Sequence, residues 1–320
     1  MVFSASPLAP GSVITVLGPI PYQELGITDT HNHVWIDLVP GADPSAPVLN
    51  QFDSILCELE DFKTRGGGSI LDCQPEGCGR NGLQLRELAS RSGVNLIACT
   101  GFHRKKYYPA DHRMFTIRAQ KVFDFINSEF EQGLYETLEN ENPVKAGFIK
   151  IALENTWAEC PMAAIEGAAM AALHKKCVIQ IHTEKGALAE KAILYFTEIG
   201  VQPSQIVMCH MDKRPDTGLH KELARLGILL EYDTFYRPKY KPEDNLWPLI
   251  DFMVRNQLSS NVALATDMAE KELYRHIGGG AGLSSLPGEI RTRLLSKGYP
   301  NKDIEMMLGG NIARRLAGIP

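Results

Sequence analysis

No window of this chain approaches the ~20 consecutive apolar residues that a membrane-crossing helix needs. Its opening, Met1-Val2-Phe3-Ser4-Ala5-Ser6-Pro7, lacks the basic segment and long apolar core of a signal peptide, so a cytoplasmic location with no membrane partner is expected. Positive charge is in the minority, with 33 Lys and Arg against 38 Asp and Glu and a net charge of -5. That balance removes the electrostatic reason for a nucleic-acid partner. Cysteines are few, odd in number and scattered: the closest pair, Cys73 and Cys78, matches no zinc spacing, and no second pair follows. The seven read as free thiols of a reducing compartment. Gly66-Gly67-Gly68 has no following Gly-Lys-Ser/Thr and is therefore read as a turn into a strand, not as a phosphate cradle.

What the chain does have is repetition. It is 320 residues long and 44% hydrophobic, enough for a large core. Residues 13–17 followed by Gly18-Pro19 read as one arm and the turn of a hairpin. Short apolar strands are then expected at 27–33, 69–73, 95–100, 147–152, 177–182, 205–210, 228–233 and 261–267. Helical patterns alternate with them at 51–64, 81–92, 114–140, 162–176, 186–199, 217–226, 245–257 and 301–316. Eight strands alternating with helices, with no compositional break, predict an α/β fold: a single (β/α)8 TIM barrel over 26–320, preceded by a short N-terminal β-hairpin within 1–25, the whole forming one domain 1–320.

In such a barrel the chemistry sits where strands end. His31 and His33 are separated by one residue and leave the same face of the first strand. His182, His210 and Asp267 close the fifth, sixth and eighth strands, and Lys150 lies inside the fourth. Imidazoles and a carboxylate suit zinc first, with manganese, cobalt or nickel accepted by the same donors. Four histidines and one carboxylate exceed a single tetrahedral site, so two divalent metal ions are implied. An ammonium at Lys150 would be costly to bury among Phe148, Ile149 and Ile151 and would repel cations. Desolvation favours its neutral amine, which can capture carbon dioxide as a carbamate and so bridge the metals.

These residues, together with Thr15-Val16-Leu17-Gly18-Pro19-Ile20, Gly77-Cys78-Gly79-Arg80-Asn81, Thr100-Gly101-Phe102, Gly147-Phe148-Ile149-Lys150-Ile151, His210-Met211-Asp212, Thr266-Asp267 and Gly310-Asn311-Ile312-Ala313-Arg314, give a chain that resembles the phosphotriesterase family of the amidohydrolase superfamily, including its phosphotriesterase-like lactonases. The resemblance covers nearly the whole length. It implies that His31, His33 and Asp267 bind the more buried metal, that His182 and His210 bind the more exposed one, and that carboxylated Lys150 bridges both with a hydroxide. Asp267 would also carry the proton to the leaving group. Two departures stand out: Asn32 replaces the glutamate the family usually has between its first two histidines and is expected to point away from the metals, and Glu270 stands where the phospho-sugar lactonases carry a basic residue, which weakens the expectation of a phosphorylated substrate unless Arg237, Lys239 or Lys271 compensates.

Recognition is expected from three loops: His103 to Tyr108, with His103, Lys105, Tyr107 and Tyr108; Lys213 and Arg214; and Tyr236 to Lys239, with Tyr236, Arg237 and Lys239. The expected activity is a binuclear metal-dependent hydrolase acting on a lactone or related carboxylic ester of a small polar molecule. Its alternatives are hydrolysis of a small acyl-amino compound, hydrolysis of a phosphotriester, and an inactive barrel that binds without catalysis. Trp157 and Trp247 are candidates for a homodimer contact, or equally for burial in the barrel shell.

Overall fold

The computed structural model describes residues 11–319, so residues 1–10 of the segment expected to carry the hairpin lie outside it. The hairpin itself comprises β1 (Ser12–Thr15) and β2 (Gly18–Pro21), paired antiparallel. It is followed by the barrel strands β3 (Ile27–Asn32), β4 (Gly67–Asp72), β5 (Asn95–Gly101), β6 (Phe148–Ala152), β7 (Ile179–His182), β8 (Ile206–Met208), β9 (Leu229–Tyr232) and β10 (Val262–Leu264). All eight are parallel neighbours in sequence order. The seam between β3 and β10 is closed by side chains: Asp29 accepts from the Thr266 backbone (3.2 Å) and hydroxyl (2.6 Å), and Asp267 N donates to His31 O (3.0 Å).

Each strand is buried on both faces, which is why its sequence reads as a nearly continuous apolar run. Alternation decides the direction. Leu71, Ile97, Cys99, Phe148, Val207 and Leu229 fill the barrel interior, whose lower end is plugged by Val13 of the hairpin, Leu25 and Ile312. Their neighbours Ile70, Leu96, Ala98 and Ile149 face the helices. Lys150 falls in register with the inward set, and its carbonyl is approached by Gly101, where a Cβ would lie 2.1 Å from that oxygen and φ is +115°. Only glycine fits there.

The helices α1 (Phe52–Thr64), α2 (Gly82–Ser92), α3 (Ala119–Glu131), α4 (Met162–Lys175), α5 (Ala189–Ile199), α6 (Thr217–Arg225) and α7 (Leu246–Arg255) follow the expected order. Three expectations need correction. The pattern over 114–140 is not one helix: α3 stops before Gly133, whose φ of +142° a helix cannot hold, and short 3-10 turns flank it at Arg113–Phe115 and Tyr135–Thr137. The closing helix is broken into α10 (Asn301–Glu305) and α11 (Asn311–Leu316), because Gly309 leaves helical geometry to sit against Gly26 O and Thr28 N. Two short helices, α8 (Arg275–Gly278) and α9 (Arg291–Ser296), lie where none was expected.

Two of the recurring motifs are architectural. Arg80, buried, joins Glu129 (2.9 Å) and Glu136 (2.7 Å) to the Cys99 carbonyl, and Asn81 caps α2. Asn311 donates to Ser259 O and Val262 O at 2.7 Å, tying α11 to the start of β10. All seven cysteines are free, and six are buried or half-buried. Trp247 is 5% exposed, packed on Phe235 and covered by the Arg293 guanidinium at 3.9 Å, so it belongs to the shell; Trp157 is half-buried against Tyr195. No helix among the described residues is long and apolar enough to cross a membrane.

His220 on α6 is held neutral: its Nε2 donates to Arg214 O (2.9 Å) and its Nδ1 accepts from the Tyr232 hydroxyl (2.7 Å), while burial lowers it to about 4. Between about pH 6.5 and about 4 the unfolded chain therefore binds a proton that the folded chain refuses, and stability falls with falling pH by up to roughly 1.4 kcal/mol per unit. Urea midpoints of the wild type should drop more steeply than those of His220→Asn across this window; parallel profiles would show that the folded protein accepts the proton.

Candidate metal centre

At the C-terminal mouth of the barrel the strand ends bring His31, His33, Lys150, His182, His210 and Asp267 together. His210 and Asp267 lie one or more residues past β8 and β10, not within extended strand as expected. Both adopt the left-handed conformation, with φ of +62° and +45°. Such values are uncommon outside glycine and concentrate at functional sites, because the turn they make re-aims a side chain.

Every imidazole has one nitrogen committed to a partner behind it. His31 Nδ1 meets Glu231 Oε1 at 2.6 Å, His33 Nδ1 meets Gln74 Oε1 at 2.6 Å, His210 Nδ1 meets Asp233 Oδ2 at 2.7 Å, and His182 Nε2 meets Glu184 Oε1 at 3.0 Å. Those acceptors assign the N–H to the outer nitrogen and leave a lone pair on the inner one. The inner nitrogens converge. His31 Nε2 and His33 Nε2 each lie 3.8 Å from the same oxygen of Asp267, Oδ1, and His182 Nδ1 faces His210 Nε2 at 2.9 Å.

Two lone pairs that close repel unless a cation stands between or beside them. Protons are disfavoured as that cation, since burial lowers His33 to about 3, His182 to about 4 and His210 well below its ordinary value. Burial also pushes up Asp233, with Asp212 adding to the effect. The donor set therefore fits divalent metal, with imidazole nitrogens and a carboxylate at separations that an ion can span. Glu231 and Asp233 fall within the same cluster, and one oxygen of each is engaged by the Nδ1 atom of His31 or His210, which makes them orienting groups.

Lys150 Nζ lies 3.2 Å from His31 Nε2 and 3.2 Å from Cys209 Sγ, fully buried. Burial works against its charge, but Cys209, Cys73 and Glu231 outweigh burial and hold the amine above its usual value. Desolvation and the charge of Glu231, buried beside His31, therefore act on this amine in opposite directions. Burial likewise opposes charge on Asp267, yet the cations Arg237 and Lys213 keep its carboxylate well below the ordinary range.

Over this cluster lies a cavity of about 460 Å³ whose floor includes His33, His182, His210 and Asp267. Of the expected recognition residues, His103, Tyr107, Lys213 and Arg237 line it. His103 stands between His33 and His182, with ring centroids 6.1 and 5.0 Å away. The others are turned elsewhere. Lys105 Nζ donates to Glu159 O, the Tyr108 hydroxyl lies buried and accepts from His103 N, Arg214 pairs with Glu190, Tyr236 packs into the shell, and Lys239 lies over the Tyr240 ring. Asn32 points away from the cluster, to Asp29 and Thr266.

The opposite wall is a strap absent from the expected recognition loops. Residues 37–48 leave β3 and return through a two-bond bridge between Ile36 and Leu49 (2.8 and 2.9 Å), the closed neck of an Ω-loop. Leu38, Val39, Pro40, Ala42, Pro44 and Val48 from it line the cavity. Its prolines were visible in the sequence; its closure was not, because the bridge pairs two isolated residues. Glu231 and Gln74 also escaped notice, although a glutamate inside the apolar run Ile228–Tyr232 is a costly residue that needed a partner.

The chain was compared with known proteins. The model of the phosphotriesterase family matches residues 11–316. A phospho-furanose lactonase of Mycoplasmopsis synoviae is 29% identical, over 82% of this chain and 77% of its own length. An N-acetyltaurine hydrolase of Salmo salar is 26% identical, over 96% of this chain and 98% of its own. The crystal structure of a lactonase from Listeria monocytogenes superposes with a TM-score of 0.86 at 23% identity, covering 95% of this chain and 98% of that one, and so shares the fold.

The orienting carboxylate is the sharpest test of this geometry. Glu231→Ala should release His31 from its tautomer and weaken zinc binding by about 10–100-fold, read by chelator competition. Unchanged affinity would mean that His31 needs no such partner.

Proposed function

Because the chain belongs to the phosphotriesterase family and is on that account a metal-dependent hydrolase, we propose that it opens a lactone or a related carboxylic ester of a small polar molecule. The observation that carries this is the convergence of inner nitrogens: His31 and His33 on Asp267, and His182 on His210 at 2.9 Å. In this reading His31, His33 and Asp267 would hold one divalent ion and His182 and His210 the other, zinc first, with Lys150 as its carbamate a ligand to both. When bound, such a pair would make an attacking water more acidic and polarise the carbonyl under attack.

The remaining steps belong to the chain's own side chains. Asp267, kept ionised by Arg237 at 3.3 Å, is placed to take the proton of the attacking water and return it to the leaving oxygen. His103, Tyr107 and Lys213 would face the substrate from the polar wall, and the apolar strap lines the other side. Arg237 already spends its fork on Asp267 and on Glu270 (3.0 Å), which favours an unphosphorylated lactone. The free cysteines support the cytoplasmic placement.

Metal-loaded protein should release protons from one class within a panel of sugar lactones, acyl lactones, acyl-amino acids and one activated phosphotriester, followed with a pH indicator. Lys150→Ala should lower that turnover by at least ~10³-fold, the scale of removing a group on which transition-state charge stabilisation depends. Turnover confined to acyl-amino acids would move the assignment to amide hydrolysis, and full turnover by Lys150→Ala would contradict the bridging role.

A further inference from the structure

Arg104 follows His103 in the loop after β5 and is not itself among the residues that line the cavity. Its guanidinium nevertheless spans two other loops. Nε donates to Glu154 Oε2 (3.1 Å) and Nη2 to Asn155 Oδ1 (3.2 Å), both just after β6, while Nη1 donates to Glu184 Oε1 (2.6 Å), just after β7. That same Glu184 oxygen accepts from His182 Nε2 at 3.0 Å. The arrangement is pinned from its far side as well, since Glu154 Oε1 accepts from the Lys105 backbone at 2.8 Å. The Arg104 backbone N–H, finally, donates to His103 Nδ1 at 2.8 Å, which leaves Nε2 as the protonated nitrogen of the neutral ring.

Glu184 differs from the other orienting groups. Glu231 and Asp233 are fully buried on strand β9 or at its end, where the barrel itself holds them, whereas the Glu184 side chain is 35% exposed on a loop. A carboxylate on an exposed loop would rotate freely and fix nothing without a rigid partner. The planar fork of arginine is suited to supply one, because it engages both carboxylates in a fixed geometry.

We propose that Arg104 is a positioning residue for the outer half of the site: through Glu184 it keeps the proton of His182 on Nε2 and so presents the Nδ1 lone pair beside His210. The consequence is that one residue of the recognition loop sets the orientation of two cavity histidines, His103 through its backbone and His182 through its side chain. The inference deepens the metal-centre reading and rests on it only for its first readout.

The test is a double-mutant cycle of Arg104→Ala and Glu184→Ala in the full chain, read by zinc affinity in chelator competition. Arg104→Ala should weaken the looser of two zinc ions by about 10-fold or more while the tighter stays as in the wild type, and it should add nothing once Glu184 is alanine. Arg104→Lys, which keeps the charge without the fork, should lose less. The second readout needs no metal: ¹⁵N resonances of the histidine rings in zinc-free protein should place the His182 proton on Nε2 in the wild type and shift it toward Nδ1 in both variants. Wild-type zinc affinity in Arg104→Ala, an equal further loss in the Glu184→Ala background, or an unmoved His182 tautomer would overturn the proposal. Failure of the wild type to bind zinc at all would instead count against the metal-centre reading, and the ring resonances would still decide the role of Arg104.

Discussion

A neutral imidazole has one N–H and one lone pair, and whatever accepts the N–H decides where the lone pair points. The candidate site depends on that constraint four times over. Glu231, Gln74, Asp233 and Glu184 each take the outward N–H of a histidine, so the inner nitrogens of His31, His33, His182 and His210 are electron-rich at the same mouth. Burial then works against protonating His33, His182 and His210. A site built this way asks for metal cations, and the residues that make it ask are those behind the histidines as much as the histidines themselves.

The barrel supplies the precision. Lys150 points inward because it shares a strand face with Phe148, and its neighbour across the ladder must be glycine for the backbones to approach. His210 and Asp267 are re-aimed by left-handed turns just past their strands, and the seam beside Asp267 is held by Asp29 reaching across to Thr266. Recognition is kept apart from this scaffold. The strap over residues 37–48 and the loop carrying His103 and Tyr107 can vary without disturbing the strand ends, as loops on a rigid scaffold do.

Much of this was legible in the residues. Eight apolar runs punctuated by helical patterns foretold the barrel, and the six strand-end or inward polar residues foretold the cluster, because a titratable group closing a buried run is costly unless used. What the residues hid is three-dimensional in origin. The break at Gly309 follows from contact with Gly26 and Thr28, far away in sequence. Lys105, Tyr108, Arg214, Tyr236 and Lys239 share a basic and aromatic character with the residues that do line the cavity, but each found a partner elsewhere, and composition carries no direction. Glu231, one of the groups whose charge acts on the Lys150 amine, lies 81 residues away along the chain, and no local pattern reports that pairing.

The central claim is that these donors hold two ions joined through Lys150. Anomalous diffraction from crystals grown with zinc and bicarbonate tests it most directly. The account predicts two zinc peaks, one among His31, His33 and Asp267 and one between His182 and His210, with added density on Lys150 Nζ reaching both. Zinc bound elsewhere, or a bare Lys150 amine beside a single peak, would contradict it.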